Sequence, residues 1–373
     1  MVRKHPPGRY AAMGTVPSFP DGNEAQMRPG RPSSWISRPR VGYGAPMADR
    51  GFLITGGAGF VGRRFAKRLL GLGHRVTVVD DLSTGLPLDA WPEFLRPTDD
   101  EQRRLTFHRS DFRRFAAEQA PDFDAILHLA AVVGGRLVIE GDPLAVATDL
   151  AIDATFFNWV ARHQPAPRRL VYFSSSAVYP IADQRREAHR RLAEPSVAFG
   201  DAIGMPDMTY GWSKLTGELL ARHAAEKYGL AVAVYRPFSG YGEDQDLTYP
   251  FPSVVRRVRR QESPLVVWGS GDQARGFIHI EDCVDAVLAS MDRIDAFTPL
   301  NLGTGVATTF RDLARSACRV LGHEAEVVND ASKPEGVFWR VGECSQMRQY
   351  HHPSISLDEG ISRCAAYQDA ARL

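Results

Sequence analysis

One short stretch, residues 52–62, constrains the fold of this chain more than any other. It reads Phe-Leu-Ile-Thr-Gly-Gly-Ala-Gly-Phe-Val-Gly, so apolar and β-branched residues lead directly into Gly56, Gly59 and Gly62. In such a pattern one glycine permits a tight turn, one lets the backbone approach a pyrophosphate, and one lets a helix pack against a strand. The free N–H groups at the start of that helix favour phosphate. The stretch therefore predicts a strand, a turn and a helix that bind a dinucleotide.

The residues that follow complete a β-α-β unit. Phe65 and Leu69 keep a helical spacing, Gly71 ends the helix, and residues 75–79 form a second strand that leads into Asp80. A carboxylate at that point suits the ribose hydroxyls and repels a 2′-phosphate, so NAD is favoured over NADP.

Strands and helices go on alternating along the chain. Strands are predicted at 105–108, 125–129, 169–174 and 231–236, and helices at 143–163 and 210–228. This alternation predicts an α/β fold, a Rossmann-like doubly wound parallel sheet with helices on both faces, over residues 50–240. The pattern loosens from residue 241 to 373. We expect helices at 251–260, 280–292 and 309–321 there, short strands at 265–268 and 277–280, and a smaller substrate-binding part that partly interleaves with the sheet.

Composition narrows the class of protein. The 45 basic and 44 acidic residues nearly cancel, so we expect neither a nucleic acid nor an acidic membrane surface as a partner. Four widely spaced cysteines, Cys283, Cys318, Cys344 and Cys364, predict reduced thiols in the cytoplasm and no metal site. Residues 1–46 are rich in Pro, Gly, Arg and Ser, and we expect a disordered extension. It is either a transit peptide or, as we prefer, a translated segment upstream of a start at Met47.

A candidate proton-transfer pair lies in the helix predicted at 210–228. Tyr210 and Lys214 are four residues apart and therefore share one helical face. A tyrosine has an ordinary pKa of about 10, and a lysine ammonium one turn away favours its phenolate. Ser175, at the end of a predicted strand, can hydrogen-bond the same reacting oxygen. Such a pair can move a proton to or from a sugar hydroxyl.

Several motifs occur in an order that points to a known family. They are Thr55–Gly62, His128–Ala131, Ser174–Tyr179, Tyr210-x-x-x-Lys214, Arg236–Phe238, and Arg275–His279 followed by Asp282. As a set they resemble the extended short-chain dehydrogenase/reductases that act on nucleotide sugars. The resemblance covers about residues 50–360. It implies NAD as cofactor, a nucleotide-diphosphate sugar as substrate, a role in carbohydrate biosynthesis, and a homodimer paired through helices at about 145–163 and 210–228.

The resemblance also implies residue roles. The catalytic set is Ser175, Tyr210 and Lys214. The NAD contacts are Gly56, Gly59, Phe60, Val61, Gly62, Asp80, Asp81, Leu82, Asp111, Phe112, Leu129, Ala130, Ala131, Tyr210, Lys214 and Pro237, with Asp111 and Phe112 flanking the adenine. The substrate contacts are Ser175, Ser176, Ser239, Arg275 and Arg340, of which the two arginines hold the diphosphate.

Departures from the family pattern narrow the reaction. Sugar 4,6-dehydratases of this family carry an Asp-Glu pair where Ser176 and Ala177 stand here, UDP-glucuronate decarboxylases a Glu at position 177, and 3,5-epimerases of GDP-sugars a Cys. Alanine can perform none of these proton transfers, so epimerisation at C4 through a transient 4-keto sugar is the leading hypothesis. Two further departures are Ala151, where an Asn usually helps position the lysine, and Ser239, where an Asn usually contacts phosphate.

Alternative functions stay open at this point. Within the family they are a nucleotide-sugar oxidoreductase or ketoreductase, a 3,5-epimerase and a dehydratase. From another class, a non-catalytic NAD-sensing protein could use the same fold. The complete Ser175, Tyr210 and Lys214 set argues against that reading.

Overall fold

The computed structural model of this chain describes residues 49–134, 136–163, 167–187, 189–200, 202–294 and 296–372. The extension expected at residues 1–46 lies outside these ranges. In the described ranges the strands β1 to β14 are, in chain order, Gly51–Thr55, Arg75–Asp80, Leu105–Arg109, Ala125–His128, Arg169–Phe173, Val232–Pro237, Gly240–Tyr241, Leu265–Trp268, Ala274–Arg275, Ile278–His279, Thr298–Leu302, Thr308–Thr309, Val327–Asp330 and Trp339–Arg340. The helices α1 to α11 are Phe60–Gly71, Asp99–Gln102, Phe112–Glu118, Arg136–Gly141, Pro143–Val146, Thr148–Arg162, Met208–Tyr228, Pro250–Arg259, Ile280–Ser290, Phe310–Leu321 and Leu357–Ala370.

Seven strands form the central sheet, in the order β11-β6-β5-β4-β1-β2-β3. All six pairings are parallel. The strands β4 and β5 at the centre of the sheet are buried along their whole length, as in the run Arg-Leu-Val-Tyr-Phe of β5. Parallel strands covered by helices on both faces read as near-continuous apolar runs. The prediction of a Rossmann-like doubly wound sheet is therefore confirmed.

The seventh strand, β11, comes from the C-terminal part of the chain. Its sequence, Thr-Pro-Leu-Asn-Leu, carries no strand signal, and sequence analysis predicted no strand there. Leu300 pairs with Tyr235 and Asn301 pairs with Arg236 of β6, so β11 extends the sheet at its edge. A proline is tolerated at such an edge because one side of the strand needs no ladder hydrogen bonds.

Two of the helices beside the sheet end where the sequence predicts. Helix α1 runs to Gly71, and α7 ends at Gly229, which adopts the left-handed conformation with φ +67°. Helices α6 and α7 pack side by side on one face of the sheet, and α1 and α9 cover the other face. The carboxyl ends of β1, β4 and β5 consequently meet the start of α7 at one edge of the sheet.

The C-terminal part has a separate apolar core. Helices α8, α10 and α11 pack together around Val255, Leu313 and Ile361, each 0% exposed. Two small sheets flank them, β8 with β13 and the three-stranded β12-β9-β14. The predicted helices at 251–260, 280–292 and 309–321 are confirmed, whereas α11 and the strands β9, β12, β13 and β14 were not predicted.

Candidate active site

The glycine-rich turn has the geometry that a dinucleotide needs. Gly56 has φ +67°, and a Cβ there would meet the backbone of Ala130 at 2.8 Å. A Cβ on Gly62 would lie 2.4 Å from the Gly56 carbonyl oxygen, so this glycine lets α1 pack against the turn. At Gly59 a Cβ would meet only the Gly56 carbonyl oxygen, at 3.2 Å, so the outer side of the turn is open to a pyrophosphate. These residues fit NAD at the start of α1.

Asp80 ends β2 beside this turn. Its carboxylate accepts hydrogen bonds from the backbone N–H groups of Ala58 at 3.0 Å and Leu82 at 2.9 Å. Burial raises the pKa of Asp80, and these two N–H groups oppose the rise. Leu82 has φ +63°, an unfavourable conformation for a residue with a side chain. The loop is thus held in a strained shape around a carboxylate that still has free lone pairs for a ribose.

The adenine end of the predicted cofactor site is an open cavity of about 540 Å³. It is lined by Asp81, Arg109, Ser110, Asp111, Arg114 and Glu118. Asp111 caps α3 and pairs with the Arg113 guanidinium at 2.5 Å. Phe112 does not face this cavity with its ring: the ring is 4% exposed and packs edge-on against His128 and Trp159. Only the backbone of Phe112 is available to an adenine.

The three predicted catalytic residues come together at the carboxyl end of β5. Ser175 lies two residues after the strand, and its hydroxyl interacts with the Tyr210 phenol so that it lowers the pKa of that phenol. Tyr210 and Lys214 lie one turn apart on α7, with the Lys214 ammonium nitrogen 5.9 Å from the Tyr210 ring centroid. The same nitrogen is 5.3 Å from the Tyr172 ring centroid, and Lys214 is only 3% exposed. The lysine is therefore buried beneath the phenol.

The pKa shifts of Tyr210 and Lys214 agree only in part with the expectation from the sequence. Burial raises the pKa of Tyr210, while the Lys214 ammonium and the Ser175 hydroxyl oppose the rise, as expected, without reversing it. Burial alone would lower the pKa of Lys214, but the Asp153 carboxylate, the Tyr210 oxygen when it is ionised, and the Asp149 carboxylate raise it. Lys214 therefore stays an ammonium, and the Tyr210 phenol keeps its proton more tightly than an exposed tyrosine.

Two buried carboxylates on α6 stand next to this pair, and sequence analysis missed both. Asp153 bonds His128 through one oxygen at 3.1 Å and the Tyr172 hydroxyl through the other at 2.5 Å. Asp149, one turn earlier, is 0% exposed and accepts the Val132 N–H at 2.5 Å. The signal that could have found them is two aspartates at i, i+4 spacing in an otherwise apolar helix.

These aspartates change the reading of Ala151. That residue is exposed on the outer side of α6, away from the lysine. Asp149 interacts electrostatically with Lys214 from the inner side of the same helix. On α6 the Lys214 ammonium therefore interacts with the carboxylate at 149, whereas Ala151 offers it no polar side chain.

Position 177 offers no proton-transfer group. Ala177 is 3% exposed in the single turn Ser176–Val178, and its N–H donates to the Ser175 hydroxyl oxygen at 3.1 Å. Its carbonyl accepts the Asp207 N–H at 2.9 Å, which ties the turn to the start of α7.

Tyr249 is a different group in this region that sequence analysis did not name. Burial raises the pKa of its phenol, and the charge of Tyr210 adds to the rise.

The two predicted diphosphate arginines are neighbours in the structure. Arg275 of β9 and Arg340 of β14 are register partners in a parallel pair. Arg275 lies over the Phe310 ring at 5.3 Å. Arg340 is engaged by the buried Asp207 carboxylate at 2.6 Å and by Gln184 at 2.8 Å. One guanidinium of the pair is therefore already neutralised by an acid at the start of α7.

The other predicted contact residues lie around the same edge of the sheet. Half-buried positions after the strands are Phe60, Val61, Leu129, Ala130, Ala131, Pro237 and Ser239, whereas Ser176 is buried. Ser239 has φ +32°, which marks a strained turn after β6. Among the described residues no group of three or more His, Cys, Asp or Glu side chains is arranged to hold a metal ion.

Comparison with known proteins gives a consistent picture. The family model for the NAD-dependent epimerase/dehydratase family matches residues 52–303. The GDP-L-fucose synthase of Escherichia coli is 27% identical over 79% of this chain and 94% of its own length. The UDP-glucuronate 4-epimerase of Thermodesulfobacterium geofontis is 27% identical over 84% of this chain and 94% of its own length. Among solved structures, the UDP-glucose 4-epimerase of Thermotoga maritima superposes with a TM-score of 0.71 at 21% identity, covering 87% of this chain and 100% of that protein.

Proposed function

We propose that this chain, which belongs to the NAD-dependent epimerase/dehydratase family and is an enzyme that uses NAD, is a nucleotide-sugar 4-epimerase. The observation that carries the proposal is the arrangement at the end of β5. The Ser175 hydroxyl interacts with the Tyr210 phenol there, with Lys214 buried beneath the phenol, while position 177 carries an alanine. A proton-transfer site is present, and the additional acid or base of the related reactions is missing from position 177.

The chain's own residues perform the proton transfer. Tyr210 takes the proton of the sugar C4 hydroxyl and returns it, and Ser175 hydrogen-bonds the same oxygen. Tyr210 accepts this proton in its phenolate form, which the Lys214 ammonium stabilises. NAD, when bound at the glycine-rich turn, supplies reversible hydride acceptance at C4. The low exposure of Lys214 keeps water away from this pair, which strengthens its electrostatic interactions.

The substrate's diphosphate has a natural binding place at the β9–β14 pair. Arg275 and Arg340 stand side by side there, and planar guanidinium groups suit bidentate contacts to phosphate oxygens. Arg340 shares its charge with Asp207, so its interaction with a diphosphate is combined with this ion pair. Asp207 starts the helix that carries Tyr210, so the Arg340 pair links the diphosphate region to the catalytic helix.

The experiment that tests the proposal uses a panel of UDP-, GDP-, TDP- and CDP-sugars. One panel member should be converted to its C4 epimer without accumulation of free NADH. When that substrate carries deuterium at C4, the label should stay in the product. Loss of water to give a 4-keto-6-deoxy sugar, or net release of reduced cofactor, would replace the epimerase proposal with the dehydratase or oxidoreductase alternative.

A second candidate is 3,5-epimerisation of a GDP-sugar. It is favoured by the similarity to GDP-L-fucose synthase and by Tyr249, a second phenol near Tyr210. Under this alternative Tyr249 exchanges protons at C3 or C5. Product formed in deuterated water would then carry solvent deuterium at those carbons, and Tyr249→Phe would abolish that labelling. The 4-epimerase proposal expects no solvent label at either carbon.

We also propose a homodimer in the cytoplasm. The run Pro143–Arg162 is by length and composition apolar enough to cross a membrane, yet 39% of it is buried in this structure. Its outer side includes Leu150, and the adjacent α7 exposes Trp212, at 40% and 49%. A second copy covering both helices would bury these side chains. The four cysteines are free and buried, in keeping with a reducing compartment. Light scattering of the parent and of Trp212→Glu should show a dimer and a weakened dimer, respectively.

A further inference from the structure

The Asp149 carboxylate is buried without a full set of partners. The residue is 0% exposed, and its Oδ1 accepts the Val132 N–H at 2.5 Å. Its Oδ2 is also buried and has no hydrogen-bond partner among the described residues. Buried carboxylates are normally fully hydrogen-bonded, because an unpaired buried charge is costly. A buried carboxylate with one unpaired oxygen beside a catalytic pair therefore indicates a functional role.

The charged groups around Asp149 indicate that this role concerns Lys214 on α7. Lys214 is the cation that stabilises the Asp149 anion, whereas Asp153 destabilises it. Both oxygens of Asp153 are already occupied by His128 and Tyr172. The free oxygen of Asp149 is therefore available as an acceptor for the Lys214 ammonium. The ionisable groups around this cluster are Asp153 on α6, Lys214, Tyr210 and Glu218 on α7, His128 on β4, Tyr172 on β5 and Tyr249 before α8.

We propose that Asp149 is a positioning residue for the Tyr210–Lys214 pair: its carboxylate holds the Lys214 ammonium in place, and its negative charge opposes ionisation of the Tyr210 phenol. The proposal rests on the proposed function, in which Tyr210 moves the proton of a sugar hydroxyl. Asp149 acts through Lys214 and Tyr210 and does not itself carry that proton.

The charge of Asp149 works in two opposite directions. Burial raises its pKa to about 6, so at neutral pH the group is mainly ionised. As an anion it raises the pKa of Tyr210 and the pKa of Lys214 together. The lysine is thereby kept charged and in position, while the phenol is kept protonated until a substrate oxygen is hydrogen-bonded to it. Removing the charge should make Tyr210 ionise more easily and leave Lys214 less well held.

The test is the pH dependence of turnover in Asp149→Asn. The amide oxygen can still accept the Val132 N–H, so the substitution removes the charge and keeps the shape. We expect the limb on which kcat rises with pH to move to lower pH by roughly half a unit or more. The plateau of kcat should fall several-fold, because Lys214 has lost its acceptor, while KM changes little. A profile that does not move would overturn the proposal.

A matched control comes from the same segment. Asp142→Asn removes an exposed carboxylate that caps α5 through the Ala145 N–H at 3.0 Å. Asparagine caps helices as well as aspartate does, so this variant should keep the parent profile. Should Asp149→Asn fail to fold, Asp149→Ser offers a second neutral side chain whose hydroxyl oxygen can accept the Val132 N–H. Its profile should move in the same direction.

A second readout needs no sugar substrate. The absorbance of the phenolate form of Tyr210 is the near-ultraviolet difference between each protein and its Tyr210→Phe counterpart, both saturated with NAD. In Asp149→Asn this titration should begin at lower pH than in the parent. A shifted titration together with no conversion of any nucleotide sugar would refute the proposed function but leave the role of Asp149 intact. An unshifted titration refutes the role of Asp149 whatever the reaction is.

Discussion

Two buried carboxylates near Lys214 have opposite surroundings. Glu218 and Asp149 are both 0% exposed. Glu218 lies one turn after Lys214 on α7, and both of its oxygens are bonded to the Arg236 guanidinium, at 2.8 Å and 2.6 Å. The Ser174 hydroxyl donates a further hydrogen bond to it. Asp149 has one backbone N–H on one oxygen and no partner on the other among the described residues.

This difference in hydrogen bonding distinguishes Glu218, a carboxylate that stabilises the fold, from Asp149, a carboxylate that acts in the candidate active site. Arg236 is itself bonded to the Tyr179 hydroxyl at 3.1 Å and to the Glu194 carbonyl at 3.0 Å, so the pair with Glu218 is fully satisfied. This ion pair connects β6, α7 and the turn after β5. Its polar atoms are already engaged in these bonds, so it stabilises the fold and takes no part in proton transfer. The raised pKa of Asp149 shows a group held in an unfavourable state, which is typical of active sites.

The strongest test of this contrast is Tyr210→Phe. It removes the proton-transfer group on the functional side and keeps the ring, so turnover should fall by ~10²–10⁴-fold. Binding of the sugar nucleotide should change little, and so should the unfolding midpoint. Steady-state kinetics and calorimetric titration with the converted sugar nucleotide measure the two effects. Full activity in this variant would remove Tyr210 from the mechanism.

The contribution of the Glu218–Arg236 ion pair to stability is tested by Glu218→Gln, which leaves the buried Arg236 without its counter-charge. Breaking a buried ion pair on one side typically costs about 3–5 kcal/mol, and we expect a loss of that order in the free energy of unfolding. Denaturant unfolding provides the measurement. Glu226→Gln on the same helix, which removes the exposed partner of Arg222, is the control and should unfold at nearly the parent midpoint. Equal stability of the two variants would contradict the contrast.

Asp149→Asn should act on stability in the opposite direction to Glu218→Gln. The pKa of Asp149 is raised from 3.8 to about 6 on folding, so its ionised form destabilises the folded protein above pH 6. That penalty disappears as the pH falls through 6 toward 3.8. It corresponds to at most about 3 kcal/mol, less the cost of burying the new amide. Thermal unfolding should therefore show a more stable variant at pH about 8, and a smaller gain at pH about 5.

The smallest expected effect concerns a third carboxylate, Asp80, which faces the cofactor. Asp80→Ala removes a ribose acceptor, which we expect to weaken NAD binding about tenfold, on the order of 1.4 kcal/mol. NADP binding should weaken less or improve, since a repulsive charge is lost as well. Fluorescence titration with both cofactors measures the ratio, and Asp89→Ala, at an exposed acid, is the control. An unchanged ratio would show that Asp80 does not select the cofactor.

Much of the fold was accessible from local patterns. The strands β1 to β6 of the sheet, the helices α1 and α7, and the glycine stops at Gly71 and Gly229 are confirmed close to the predicted residues. Strand β11 was missed because its Pro and Asn conceal the strand pattern, and it is held by pairing with β6. The membership of the family was also predicted, since its motifs are short and contiguous.

The sequence by itself determined the parts of the site that depend on short separations along the chain. The glycine-rich turn, Asp80 after β2, and the pair of Tyr210 and Lys214 on one helical face follow from fixed local geometry. Tertiary structure alone decided what lies opposite them. Asp149 faces Lys214 only because α6 and α7 pack side by side on the sheet, and Arg340 pairs with Asp207 across 133 residues. The physical reason is that the rotation of a helix about its axis and the partner of a buried charge are set by packing between distant segments, and no local pattern encodes them.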